Sequence, residues 1–179
     1  MTIMSAEAEA PITLKEVQLR LCVPQHVLIH LCEKGVIEPD FAETSGRGKR
    51  REFSQRNLFE FGVAVALRRL EVPVATTAFL VRLLRSFALA TERAVDGFAL
   101  PAALRAADAV LRLHFCDGTF LVFEAAGGAL RKRLLLGANV ELAKGAAARP
   151  RIEKLGALPT EFDAHLEIDL ARIARNLHA

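Results

Sequence analysis

Four basic residues fall within five positions, at Arg47, Lys49, Arg50 and Arg51, interrupted only by Gly48. A cluster of this kind neutralises phosphates and gives affinity for a nucleic-acid backbone without reading its sequence. Gly46 and Gly48 suit the tip of a tight hairpin. Side chains alternate faces along a hairpin strand, so not all four cations can point one way. A second group, Gln25, His26 and His30, stands at the start of an expected helix and one turn further on. A Gln side chain can make two hydrogen bonds to adenine, and a His can donate to a purine acceptor. Taken alone, the basic run is also what a solvated loop looks like, and the polar trio what an outward helix face looks like. Their closeness in the chain favours nucleic-acid contact.

Other chemistries find less support. Cys22, His26 and His30 recur every four residues, which aligns metal ligands only on one continuous helix. Pro24 interrupts that helix and leaves Cys22 in a turn. His114 and Cys116 share one face of an expected strand, yet no third ligand lies near them in sequence, and both read as structural. Gly46-Arg47-Gly48 and Gly127-Gly128 are too short to cradle phosphates, and no nucleophile–base pair or suitably placed carboxylate pair occurs. The expectation is a non-enzyme with no catalytic residue, no metal and no cofactor.

The elements that must hold these residues follow from periodicity and punctuation. Leu14, Val17 and Leu21 form one face of a short helix, with Thr13 as its cap and Glu16 completing a capping box. A second helix over about Pro24–Lys34 turns Val27, Leu28 and Leu31 inward and stops at Gly35. After a brief extended piece at 36–39 comes the basic hairpin, with Phe53 leaning inward. Ser54 then caps a third helix bearing Leu58, Phe61 and Val65 inward, ending near Glu71. A fourth, about Val74–Leu89, carries a stripe of Phe79, Leu80, Leu83, Leu84 and Phe87.

Past residue 97 the texture changes. A short helix from Pro101 closes near Asp108, and Val110–Cys116 and Thr119–Ala125 are β-rich runs joined by Asp117-Gly118, a strong hairpin signal. Gly127-Gly128 is another turn, 134–136 and 140–142 read as short strands, 144–151 as an exposed loop, and 165–170 as a last strand before a terminal helix. Leu111, Leu113, Phe115, Leu121 and Phe123 supply an apolar sheet face that reads as core. The chain is thus expected to be α+β: a flexible tail over 1–11, a helical domain over 12–96, and a small, mainly β domain with a terminal helix over 97–179.

Composition narrows the function. At 52% apolar and 25% charged residues, the 179-residue chain can build a core and is not wholesale disordered. A net charge of +3, from 24 basic and 21 acidic residues, decides nothing, so the placement of charge must. With 11 Phe and neither Trp nor Tyr, stacking platforms for single strands would rest on Phe alone, which points away from them. No run approaches 18 uninterrupted apolar residues, the first residues carry two Glu and no basic run, and three Cys form no CxxC, so a reduced, cytoplasmic protein without a membrane span is expected.

Ile12 to Pro39, ITLKEVQLRLCVPQHVLIHLCEKGVIEP, followed by GRGKRREFSQRNL, resembles the MerR-family winged helix-turn-helix domain over about residues 12–87. Ile29 and His30 stand where that family commonly has Arg and Tyr, and Cys22 and Pro24 where it has a turn Gly and a Ser cap. The resemblance implies a winged helix-turn-helix fold and a transcription regulator binding double-stranded DNA at promoter pseudo-palindromes, with RNA polymerase among its contacts. A single helix and wing span few base pairs, so a homodimer on two half-sites is expected, with residues 97–179 serving dimerisation, an unknown small effector, or both. The competing reading is a winged-helix interaction or adaptor module. It is motivated by the replaced Arg and Tyr and by the near balance of 13 basic and 12 acidic residues through Asp96.

Overall fold

A computed structural model describes residues 10–41, 51–94, 100–116, 120–127, 130–139, 152–159 and 165–177. The chain is α+β and divides into two compact units, Met1–Val81 and Arg82–Ala179. In the first lie β1 (Ile12–Thr13), α1 (Leu14–Leu21), α2 (Gln25–Glu33), β2 (Glu52–Phe53), α3 (Gln55–Arg69) and the start of α4 (Val74–Ala94). The division falls inside α4, earlier than the expected boundary near residue 97. Its cause is the second half of that helix, where Leu83, Leu84 and Phe87 are buried and Phe87 stacks on Phe123, ring centroids 5.1 Å apart. By length and composition Val74–Arg93 could cross a bilayer, although no uninterrupted apolar run was expected to. Half of it is buried: Leu80, Val81, Leu83, Leu84 and Phe87 line cores, while Phe79 is half-buried and Arg82 and Leu89 are exposed.

In the first unit, α1 begins as the sequence predicts. The Thr13 hydroxyl accepts the Glu16 N–H, and the Glu16 carboxylate accepts from the Thr13 N–H (2.7 Å) and hydroxyl (2.8 Å), which holds that carboxyl below the ordinary range. Val17 is buried on the inward face. Pro24 proves to be the cap of α2 rather than its first residue, with extended backbone. At the far end Gly35 is left-handed (φ 64), and the N–H groups of Gly35 and Val36 return to the carbonyls of Cys32 and Leu31, closing the helix at the expected glycine. Leu28 and Leu31 are buried, while Val27 is only half so. The inward positions predicted on α3, Leu58, Phe61 and Val65, are buried, but so are Phe59 and Val63. α3 is therefore enclosed on nearly every side, and the other elements of this unit build on it.

Between α1 and α2, Cys22 takes the left-handed conformation (φ 51, ψ 44) where a glycine would be unstrained. Its exposed thiol makes only a long hydrogen bond to the Leu19 carbonyl. Removing the Cβ crowding outweighs the extra freedom a glycine gains on unfolding. Cys22→Gly should thus stabilise the protein by roughly 0.5–1 kcal/mol, read as a higher midpoint in urea at unchanged slope.

The second unit is built on a five-stranded antiparallel sheet of order β6-β5-β4-β3-β7, from β3 (Val110–Cys116), β4 (Phe120–Gly127), β5 (Leu130–Asn139), β6 (Ile152–Lys154) and β7 (His165–Asp169). One turn of 3-10 helix (Ala102–Arg105) precedes it and α5 (Leu170–Asn176), capped by Asp169, follows. One sheet face buries Leu111, Leu113, Phe123, Ala125 and Ile168, with Leu104, Leu170, Ala171 and Ala174 also buried in this unit. The Asp117-Gly118 tip lies outside the described residues, but Cys116 pairs with Phe120 on either side of it. β5 is one strand of ten residues rather than a short piece at 134–136, and β6 was not expected; residues 140–151 lie outside the described ones.

Candidate nucleic-acid interface

On α2, the buried Leu28 and Leu31 fix which side turns outward. Gln25, His26 and His30 are all exposed, as the sequence predicts, with Ile29 half-buried beside them. His26 and His30 are one turn apart on the same face. Glu33 is exposed too and falls on that face, so the outward surface carries one carboxylate that sequence reasoning did not single out. The helix start has neither a side-chain cap nor an acidic residue in its first turn. The positive end of its dipole therefore faces outward without a carboxylate of its own, which suits an anionic partner.

Of the basic run, Arg51 is described: it is half-buried and immediately precedes β2. Arg47, Lys49 and Arg50 lie outside the described residues. The chain on both sides of the run is fixed. Glu52 and Phe53 pair with Thr13 and Ile12 of β1, and Phe41 forms a bridge to Glu52. Phe53 is fully buried edge-on to Phe61, ring centroids 5.1 Å apart at 76°. Ser54 and Asn57 cap α3 reciprocally, and the same Asn57 reaches back along the chain. Its Oδ1 accepts the Asp40 N–H (2.8 Å) and its Nδ2 donates to the Glu38 carbonyl (2.9 Å) and to the buried Glu60 carboxylate (3.0 Å). The Ser54 hydroxyl donates to the Asp40 carboxylate. The sequence signal for Asn57 was its place three residues after Ser54; nothing in the sequence pointed to Glu38, Asp40 or Glu60.

The residues weighed for metal or catalytic chemistry stand in two separate places. Cys22 sits in the left-handed turn, off the helix that carries His26 and His30. His114 is buried on the sheet face opposite Phe123, its Nε2 3.0 Å from Glu124 and its Nδ1 3.8 Å from Glu167. Both ring nitrogens thus face carboxylates. Cys116 is enclosed with Val122 and Leu135, and burial pushes its thiol upward, away from the thiolate a nucleophile needs. Among the described residues no group of three or more His, Cys, Asp or Glu is placed to hold a metal ion.

No protein-family model matches the chain, and no curated protein matches it.

Proposed function

We propose that the chain is a sequence-specific transcription regulator of double-stranded DNA, acting as a homodimer, with a first unit that works as a winged helix-turn-helix domain. The observation that carries this reading is how the chain on either side of the basic run is held: the two flanks are tied to one capped junction, in the same unit as an exposed, uncapped helix start bearing Gln25 and His26. In this reading α2 enters the major groove, where Gln25 and His26 meet base edges and His30 lies one turn on. Arg47, Lys49, Arg50 and Arg51 follow a phosphate backbone and supply affinity. Two protomers on half-sites give the specificity that one helix and wing lack. The second unit is then the place for dimer contacts or a small effector, with RNA polymerase as a further partner and the cytoplasm as the place of action.

The test is retention of fragmented double-stranded DNA by purified protein at two salt concentrations, followed by sequencing. Fragments sharing an inverted repeat are the expected result. Replacing Arg50 and Arg51 with Ala should weaken binding to every sequence and lower the slope of log affinity against log salt by about 2, close to one per lost phosphate contact. Gln25→Ala should instead relax base preference at one position, a change of about 1–3 kcal/mol in discrimination. Glu33 on the outward face of α2, with Ile29 and His30 in place of Arg and Tyr, favours the adaptor reading as the second one. Absence of retention at either salt would decide for it.

A further inference from the structure

We infer that Asn57 is the positioning residue for the basic segment, tying together the residues that flank it, Glu38 and Asp40 on one side and Ser54 on the other; this rests on the DNA-binding reading. A primary amide has two donors and one oxygen able to accept twice, and Asn57 uses all four. Its Oδ1 accepts from Ser54 N–H (3.3 Å) and Asp40 N–H (2.8 Å), and its Nδ2 serves the Glu38 carbonyl (2.9 Å) and Glu60 Oε2 (3.0 Å). The side chain is fully buried, so these bonds form away from competing water.

Capping α3 requires only the exchange between Ser54 and Asn57. The bonds to Asp40 and Glu38 reach 17 and 19 residues back along the chain and do nothing for the helix end. They join the chain that precedes the basic segment to the start of the helix that follows it. The Ser54–Asp40 bond and the Phe41–Glu52 bridge close the same junction from its exposed side. No other side chain of this size offers both donors and acceptor here. A carboxylate would lose the bonds to Glu38 and Glu60 and set two acid groups against one another; an alanine would leave Asp40 N–H and the Glu38 carbonyl without this partner. A segment whose two ends are fixed loses less freedom when it meets a phosphate backbone, so the junction contributes to affinity without contributing charge.

The experiment compares wild type, Asn57→Ala and Arg50→Ala/Arg51→Ala on the same DNA over a range of salt, with circular dichroism confirming the fold. Asn57→Ala keeps every cation, so it should weaken binding about tenfold while keeping the wild-type salt slope. The arginine variant should lower the slope. Exchange of the Asp40 amide in the free protein should also quicken in Asn57→Ala. A folded Asn57→Ala that binds like wild type, or that protects the Asp40 amide equally, overturns the inference and leaves the DNA reading standing. Wild type that retains no DNA removes that reading first, and the inference with it. Should Asn57→Ala not fold, Asp40→Ala loosens the junction from its exposed side: weaker binding at unchanged slope supports the inference, and wild-type affinity overturns it.

Discussion

Gly127→Ala should destabilise the second unit by about 3 kcal/mol, the sum of left-handed strain and backbone overlap. Gly127 ends β4 with φ +72, a conformation in which a Cβ crowds the following carbonyl. At this position a Cβ would also stand 2.0 Å from the Asp108 carbonyl oxygen and 2.7 Å from its carbon. Those are backbone atoms, so no rotamer change relieves the overlap, and residues 108–109 would have to move. That stretch is itself held: Ala109 N–H donates to the Ala106 carbonyl, and Arg175 of α5 donates to the Ala109 carbonyl. Displacing it disturbs the start of β3 and its tie to α5 together. Gly35→Ala is the control, because Gly35 is also left-handed (φ +64) but has open space where the Cβ would go. Strain alone should make Gly35→Ala cost about 1 kcal/mol. Urea unfolding of both variants separates the two effects; equal losses would mean that the close approach of Asp108 contributes nothing.

The same contrast between local and distant causes decides what could be read in the sequence. The Thr13–Glu16 capping box, the Ser54 cap and the Gly35 stop are written within a few residues of where they act, and the structure places them there; of the apolar periods of α1 to α4 most positions are buried, with Leu14, Leu21, Val27 and Phe79 only half so. At the start of β5, Arg131, Lys132 and Arg133 interrupt the apolar alternation, so the sequence marks only 134–136 as strand, although β4 pairs with β5 from Leu130 onward. β6 is three residues long and gains its strand identity from pairing with β5, which its own sequence does not specify. For the candidate interface, the exposed face of α2 follows from the burial of Leu28, which lies two residues from both His26 and His30 and so on the other side of the helix, and is legible in the sequence. Asn57 reads locally as a cap. Its bonds to Glu38 and Asp40 arise only once the chain between them has turned back, so periodicity carries no trace of them. Likewise the sequence pairs His114 with its strand neighbour Cys116, whereas in the structure its partners Glu124 and Glu167 stand on the adjacent strands.

Those partners make a pH-dependent contribution to stability whose sign can be worked out. Burial alone would push the Glu124 carboxyl up, but Arg133 Nε at 2.6 Å and the His114 ring at 3.0 Å outweigh it, and the group is held below the ordinary glutamate range. A carboxyl depressed in the folded state binds its proton more readily when unfolded. The contribution is therefore complete at neutral pH, where Glu124 is ionised in both states, and it is lost as the pH falls below the ordinary glutamate range towards the folded value. Glu124→Gln keeps the size and one acceptor but removes the charge between a buried imidazole and an arginine. Because Arg133 is half exposed, the loss should fall short of that for a wholly buried pair, at about 2 kcal/mol at neutral pH. Chemical unfolding of wild type and variant from neutral pH downward should show the gap closing in acid. A gap that stays constant would mean that Glu124 acts by shape and not by charge. Closure would establish that Glu124 acts through its charge, between Arg133 of β5 and the His114 ring of β3. That structural role gives the buried His114 a partner on the neighbouring strand.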